Sequence, residues 1–257
     1  MSEREGISQD VSIGSPARSG PTLAELGINR RNLWWWVAQH TLNFLLRAGW
    51  GLQVDGFEHL PPAGPYLICG NHPSEIDPVV LGAALPFRPT FVAGHELERY
   101  PVIFWLLQRF DPVLVRRGMP DIGAVRACLA RLEAGDVVVI YPEGGVVQDR
   151  LLGTLHPGAA FLALRTRVPV VPAAIFGVAQ VWPLGARFPR GGKITIRFGL
   201  PLHPKDGERP ADLTKRIEAA LLDLLQKRTG EQANRRTGEP ANRRTGGQGT
   251  ASRRPGR

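Results

Sequence analysis

The segment Asn71-His72-Pro73-Ser74-Glu75-Ile76-Asp77-Pro78 sets an imidazole and a carboxylate five positions apart. An alcohol is a poor nucleophile until a base of near-neutral pKa takes its proton, and histidine is the side chain suited to that task. A carboxylate on the other ring nitrogen would fix the tautomer and stabilise the imidazolium. On a continuous helix this offset would turn the two side chains about 140° apart, out of reach of each other. Pro73 and Pro78 argue for a turn instead, with Asp77 as N-cap and Pro78 opening a helix. In that turn Asp77 can face His72. Taken singly, capping accounts for Asp77 and a structural hydrogen bond for His72. The chain has no Gly-x-Ser-x-Gly elbow, so direct attack by an acceptor hydroxyl fits better than a covalent acyl-enzyme.

Three further segments carry polar groups at the ends of apolar runs. Val113-Leu114-Val115-Arg116-Arg117-Gly118 can offer a guanidinium to an anion, since the arginine fork bonds two oxygens at once. The plainer reading is a solvated arginine pair. In Tyr141-Pro142-Glu143-Gly144-Gly145, Glu143 can bond an acceptor hydroxyl while Gly144 lets the backbone approach closely. The plainer reading there is a polar turn. Val168-Pro169-Val170-Val171-Pro172 reads equally well as a pocket wall, through Val168, Pro169 and Pro172, or as a structural strand.

The elements that must position these groups alternate. VDGFEHL, YLICGNH, PTFVAG, PVLVRR, DVVVIYPEGG, VPVVPAAIFG and KITIRFGLPL read as strands. Helices are expected over Pro78–Leu85, YPVIFWLLQRF, PDIGAVRACLARLEAG, GAAFLALRT and ADLTKRIEAALLDLLQK. The DVVVI run is short, β-branched and apolar on both faces, as a buried parallel strand requires. The expected fold is therefore α/β: a single domain with a mostly parallel twisted sheet flanked by helices. In an open sheet of this kind ligand crevices form at the carboxyl ends of the strands, where His72, the arginine pair and Glu143 all fall.

Four segments are expected: a disordered lead over 1–28, an amphipathic interfacial helix over 29–50, the α/β domain over 51–226 and a disordered basic tail over 227–257. LWWWVAQHTLNFLL, at 33–46, carries no Asp, Glu, Lys or Arg. As a helix it spans ~21 Å, short of the ~30 Å hydrocarbon core, and its tryptophans behind Arg30 and Arg31 suit a membrane–water boundary. The opening residues lack the basic-then-apolar pattern of a cleaved secretory signal. The formal net charge is +9, but residues 227–257 hold nine Lys/Arg against two Glu. That tail repeats KRTGEQAN, RRTGEPAN, RRTGGQGT with almost nothing apolar to bury. Contact with anionic head groups suits it, whereas nucleic acid is disfavoured because no aromatic residue is interleaved. Among 257 residues there are two cysteines, Cys69 and Cys128, too few for a disulfide framework or a four-cysteine zinc site.

Together NHPSEID, VRRG, YPEGG and VPVVP, in this order over about residues 54–204, resemble the PlsC-type glycerophospholipid acyltransferase family, 1-acylglycerol-3-phosphate O-acyltransferase-like. The resemblance implies transfer of an acyl group from acyl-CoA or an acyl-carrier protein to the free hydroxyl of a lysophospholipid, most readily 1-acylglycerol-3-phosphate, in phospholipid biosynthesis. It implies His72 as general base, Asp77 as its partner, Arg117 or Arg116 on the phosphate, and Glu143 with Gly144 on the acceptor glycerol. No cofactor and no metal are expected, since the thioester is already activated and the motif lacks a third ligand at useful spacing, and the Trp-rich helix is expected to hold the domain on a membrane, at its cytoplasmic face. Two departures stand out. Gly145-Val146-Val147 replaces the polar residues that often follow the Pro-Glu-Gly triplet, so an extra substrate contact is either missing or comes from Arg150. His95 stands in Ala93-Gly94-His95-Glu96-Leu97 where a lysine is frequent, so backbone N–H groups or His95 would serve an oxyanion. The competing readings are the same chemistry on glycerol-3-phosphate, a glycolipid or an amino-acid lipid, and a non-catalytic lipid-binding membrane protein.

Overall fold

The computed structural model describes residues 30–99, 101–108, 111–116, 118, 121–183, 186 and 188–237. Seven strands form one sheet: β1 (Gln53–Asp55), β2 (Tyr66–Gly70), β3 (Thr90–Gly94), β4 (Val113–Val115), β5 (Val137–Ile140), β6 (Val170–Phe176) and β7 (Thr195–Phe198). Their order is β1-β7-β6-β2-β5-β3-β4. From β6 to β4 every pairing is parallel, while β7 runs antiparallel to β6 and carries β1 parallel to itself. The expected α/β fold with a mostly parallel sheet is the observed one.

The central strand shows why the sheet forms here. β2 reads Tyr-Leu-Ile-Cys-Gly, with no charged residue and every position buried. Burying Leu67 and Ile68, both 0% exposed, contributes about 1.5–3 kcal/mol each. Helices α4 (Ile122–Glu133), α5 (Gly158–Thr166) and α7 (Pro210–Thr237) pack on one face through Cys128, Ala160, Ala163 and Ile217 against Leu67, Cys69, Val138 and Val170. Asp121 caps α4: one oxygen accepts the Ala124 N–H and the other the Arg116 N–H, each at 3.0 Å, so the end of β4 is tied to the start of α4.

Four expectations shift. The VDGFEHL strand stops at Asp55, because Gly56 takes φ +72° and Phe57–His59 coils into a 3-10 turn. A Cβ at Gly56 would collide with the Phe198 carbonyl oxygen, so the chain turns there against the end of β7. A 3-10 helix, His95–Arg99, and a one-turn helix α6, Val178–Val181, appear in segments expected to be loops. Finally, α7 continues through Thr237, past the expected boundary at Gln226, so the first part of the basic repeat has helical backbone.

Helix α1 spans Arg30–Trp50, close to the expected 29–50. The chain divides into two units inside it, between Thr41 and Leu42. In the second unit, Asn43 donates to the Ala83 carbonyl of α2 (Asp77–Ala84) at 2.9 Å, and the Trp50 indole donates to the Arg190 carbonyl at 2.8 Å. The side chains of Trp34 and Trp35, the lead over 1–28 and the tail beyond 237 lie outside the described residues. Among the described residues no helix is long and apolar enough to cross a membrane.

Candidate active site

The turn between β2 and α2 brings the two predicted groups together. His72 Nδ1 lies 2.9 Å from Asp77 Oδ2, and the Ser74 backbone N–H donates to the same oxygen at 2.7 Å. An N–H can only donate, so Oδ2 acts as an acceptor and the His72 proton belongs on Nδ1. This tautomer is assigned from the hydrogen-bond network, and it leaves the lone pair on Nε2, the atom a general base uses. Asp77 is not the N-cap that the sequence suggested. Ile76 takes that place, and Asp77 is the first helical residue, its carboxylate turned back over the loop. His72 is 3% exposed and Asp77 0%. Burial pushes the Asp77 carboxyl above the ordinary aspartate range. The hydrogen bond and charge of His72 pull it down, as does the Ser74 N–H, while the Glu143 charge adds to the rise.

Glu143 reaches the same turn from the end of β5. One carboxylate oxygen accepts the backbone N–H of His72 at 2.7 Å, and the other accepts the backbone N–H of Gly153 at 2.6 Å. A third tie, from the Val147 N–H to the His72 carbonyl at 2.9 Å, closes the segment after Glu143 onto the histidine. Gly144 sits at φ +72°, and a Cβ there would come within 3.0 Å of the His156 ring. The glycine is required by that close approach and by its left-handed conformation.

Two residues given no role by the sequence complete the arrangement. Asn71 bonds both backbone groups of Ile175, accepting its N–H at 2.7 Å and donating to its carbonyl at 3.1 Å. This anchors the exit of β2 to β6. Tyr141, the first residue past β5, stacks its ring on the His72 imidazole with centroids 4.2 Å apart and planes 17° from parallel. Its position beside the Pro-Glu-Gly triplet was visible, but nothing in the sequence showed which way the ring lies.

An acyltransferase-family model matches residues 51–176. A 1-acyl-sn-glycerol-3-phosphate acyltransferase of Pseudomonas aeruginosa is 31% identical over 183 residues, covering 67% of this chain and 68% of that protein. The chain belongs to the PlsC-type glycerophospholipid acyltransferase family. The 1-acyl-sn-glycerol-3-phosphate acyltransferase of Bacillus subtilis is 27% identical over 195 residues, covering 73% of this chain and 95% of its own length. A lyso-ornithine lipid O-acyltransferase of Pseudomonas aeruginosa is 34% identical over 115 residues, covering 44% of each chain. Chloroplastic relatives are longer, and this chain spans 50% and 65% of two of them. The crystal structure of PlsC from Thermotoga maritima shares the fold, with a TM-score of 0.64 at 22% identity over 80% of this chain and 86% of that one.

The remaining positions of the PlsC-type pattern are distributed as follows. Arg116 leaves edge strand β4 at the same carboxyl rim as His72 and Glu143, is exposed, and lies beside Asp121. Arg117, the other phosphate candidate, lies outside the described residues. His95 is exposed and bonded to Glu98 at 3.2 Å, and Arg150 is exposed and paired with Asp149. The three pocket-wall candidates, Val168, Pro169 and Pro172, have separate surroundings. Val168 is buried in the core under α5 and α7, and the Pro169 carbonyl accepts the Leu67 N–H at the start of β2. Pro172 lines a groove with Phe198, Leu202 and Leu224 on the β7 side of β6, and pairs across to Cys69, one residue before the end of β2. A proline fits there because its carbonyl accepts the Gly199 N–H where the β6–β7 ladder only begins.

Proposed function

We propose that this protein transfers a fatty acyl group from acyl-CoA or an acyl-carrier protein to the free hydroxyl of a lysophospholipid, with 1-acylglycerol-3-phosphate as the acceptor. The observation that carries the reading is the buried His72–Asp77 pair, Nδ1 to Oδ2 at 2.9 Å, at the carboxyl rim of the sheet. The acceptor O–H gives its proton to His72 Nε2 as its oxygen bonds the thioester carbonyl carbon. The carbonyl becomes an oxyanion. Its collapse breaks the C–S bond, and the leaving thiolate takes the proton back from the imidazolium. Asp77 holds the ring so that Nε2 faces the acceptor and offsets the charge that forms on it. The thioester is already activated, so this route draws on no metal and no cofactor. Arg116 or Arg117 would hold the acceptor phosphate by a forked pair of hydrogen bonds, and Glu143 with Gly144 would border the glycerol.

The acceptor and product are lipids, so the site works at a bilayer surface. Phe44 and Leu45, 67% and 51% exposed on α1, give an apolar contact that lies on the membrane without crossing it. Acyl-CoA and acyl-carrier protein place that surface at the cytoplasmic face.

Thiol release from acyl-CoA, followed with a panel of lysolipids, tests the proposal. Turnover should require 1-acylglycerol-3-phosphate and fall ~10³-fold or more in His72→Ala, whose circular dichroism stays that of the parent. A folded His72→Ala protein with parental turnover would remove the mechanism. The likeness to the lyso-ornithine lipid enzyme favours a second acceptor. A preference for lyso-ornithine lipid in the same panel would select that reading and leave the chemistry unchanged.

A further inference from the structure

We propose that Tyr141 is a positioning residue for His72, its ring holding the plane of the imidazole and its electron-rich face favouring the imidazolium that forms during proton transfer. This deepens the reading above and rests on His72 being the base. The two rings are stacked at 4.2 Å and 17°. The slot for the tyrosine ring depends on Gly70: a Cβ there would approach Tyr141 Cε1 to 3.2 Å and Cδ1 to 3.4 Å. The last residue of β2 thus leaves room for the ring that supports the histidine two residues on.

The groups that face His72 divide the work by direction. Asp77 takes the ring edge at Nδ1, and Glu143 takes the backbone N–H. The stacked ring face belongs to Tyr141. Asp77, Glu143 and Tyr141 are titratable groups in direct contact with His72. An aromatic face carries negative potential, so a cation lying over it is attracted, the more so when water is excluded. The site is dry: His72 is 3% exposed and Tyr141 8%. The tyrosine hydroxyl has no hydrogen-bond partner among the described residues, so the ring is what acts on the imidazole.

The test replaces Tyr141 with phenylalanine and with phenylalanines of increasing ring fluorination, which keep the shape and drain charge from the face. The acid limb of kcat/KM reads the base in the free enzyme. Tyr141→Phe should restore the parental limb. Progressive fluorination, and Tyr141→Leu, should move it about 0.5–1 pH unit lower, because the imidazolium loses its support. The acceptor KM should stay within about twofold across the series. The NMR titration of the His72 ring should follow the same order, and it needs no turnover. If His72→Ala proves active, the catalytic reading falls while the titration still decides the coupling between the rings. A titration that is flat across the fluorinated series overturns the inference. So does a Tyr141→Phe protein shifted as far as Tyr141→Leu, since the hydroxyl would then be the acting group.

Discussion

Glu143 holds His72 by its backbone, not by its ring: the carboxylate accepts the histidine N–H at 2.7 Å while its other oxygen holds Gly153 at 2.6 Å. One side chain therefore ties the catalytic turn to the loop that follows β5. Hydrogen bonds from backbone N–H groups to a buried carboxylate are stronger than neutral ones. Each oxygen keeps a second lone pair, so the same carboxylate can still border an acceptor hydroxyl.

Glu143→Gln separates these roles. Glutamine can accept only one of the two N–H groups, and its NH2 would oppose the other. A buried donor left unsatisfied costs about 1–3 kcal/mol. The variant should melt at a lower temperature than the parent. Its kcat should fall ~10-fold or more as His72 loses its fixed position, with the acceptor KM changing less than about threefold. Steady-state kinetics and a thermal melt check both. A normal kcat with a strongly raised acceptor KM would make Glu143 a substrate contact first.

Asp77→Asn should trade activity for stability. The Asp77 carboxyl is raised by burial, so the folded chain holds its proton at pH values where the unfolded chain has released it. For such an acid, folding stability falls as pH rises from the ordinary value of 3.8 through the raised one, then stays low. Asparagine carries no charge and escapes that loss. The variant should therefore melt at or above the parental temperature at pH 7. The gap should close as the pH falls toward 3.8. Turnover should drop ~10²-fold or more: the asparagine oxygen can still accept the Ser74 and Nδ1 N–H groups, but it carries no negative charge to stabilise the imidazolium that forms. Melting curves across pH with parallel thiol-release assays decide this. A parental melting temperature above that of the variant at pH 7 would contradict it.

The catalytic turn was readable because proline punctuates it on both sides. Pro73 and Pro78 exclude a continuous helix, and once a turn is required a histidine and an aspartate at this spacing can meet. The alternating elements were readable because apolar runs such as YLICG and VVVI are short, β-rich and bounded by Gly, Pro or Asp, as buried parallel strands are. What was not readable depends on contacts between distant segments. Whether Asp77 caps α2 or opens it is decided by the pull of His72 and Ser74 on its carboxylate. The Val168-Pro169 segment enters β6 from the far end of the sheet, and only the β2–β6 register shows that. The extension of α7 past Gln226 has no apolar period to announce it. Asn71 and Tyr141 stand inside the NHPSEID and YPEGG segments, but their contacts were not readable, because their partners lie on β6 and in the β2–α2 turn.

Gly144→Ala should be costly beyond the loss of a flexible residue. The backbone there has φ +72°, where a Cβ is strained by roughly 1–2 kcal/mol. The added carbon would also meet the His156 ring at 3.0 Å. His156 is exposed and only its backbone N–H is held, by the Pro142 carbonyl at 2.8 Å, so the ring can turn aside and the backbone strain dominates. A loss of about 1–2 kcal/mol in chemical denaturation is expected. Less than about 0.5 kcal/mol would mean the loop takes another shape in solution.

Neither cysteine can carry the acyl group between donor and acceptor, although Cys69 lies three residues before His72. Its thiol is 0% exposed in the middle of the sheet, and burial pushes it up to about 12. Cys128, packed between α4 and the sheet, is pushed up to about 11. Nucleophilic attack requires the thiolate and a path to the substrate, and both are denied. Iodoacetamide at pH 8 should therefore leave turnover intact for as long as the protein stays folded. A disulfide reagent should label both thiols only at the rate of unfolding. Cys69→Ala should keep more than about half of the parental kcat while losing about 1–2 kcal/mol of stability to the cavity. Rapid alkylation of Cys69 with matching loss of activity would point to an acyl-cysteine intermediate, and direct attack by the acceptor hydroxyl would have to be abandoned.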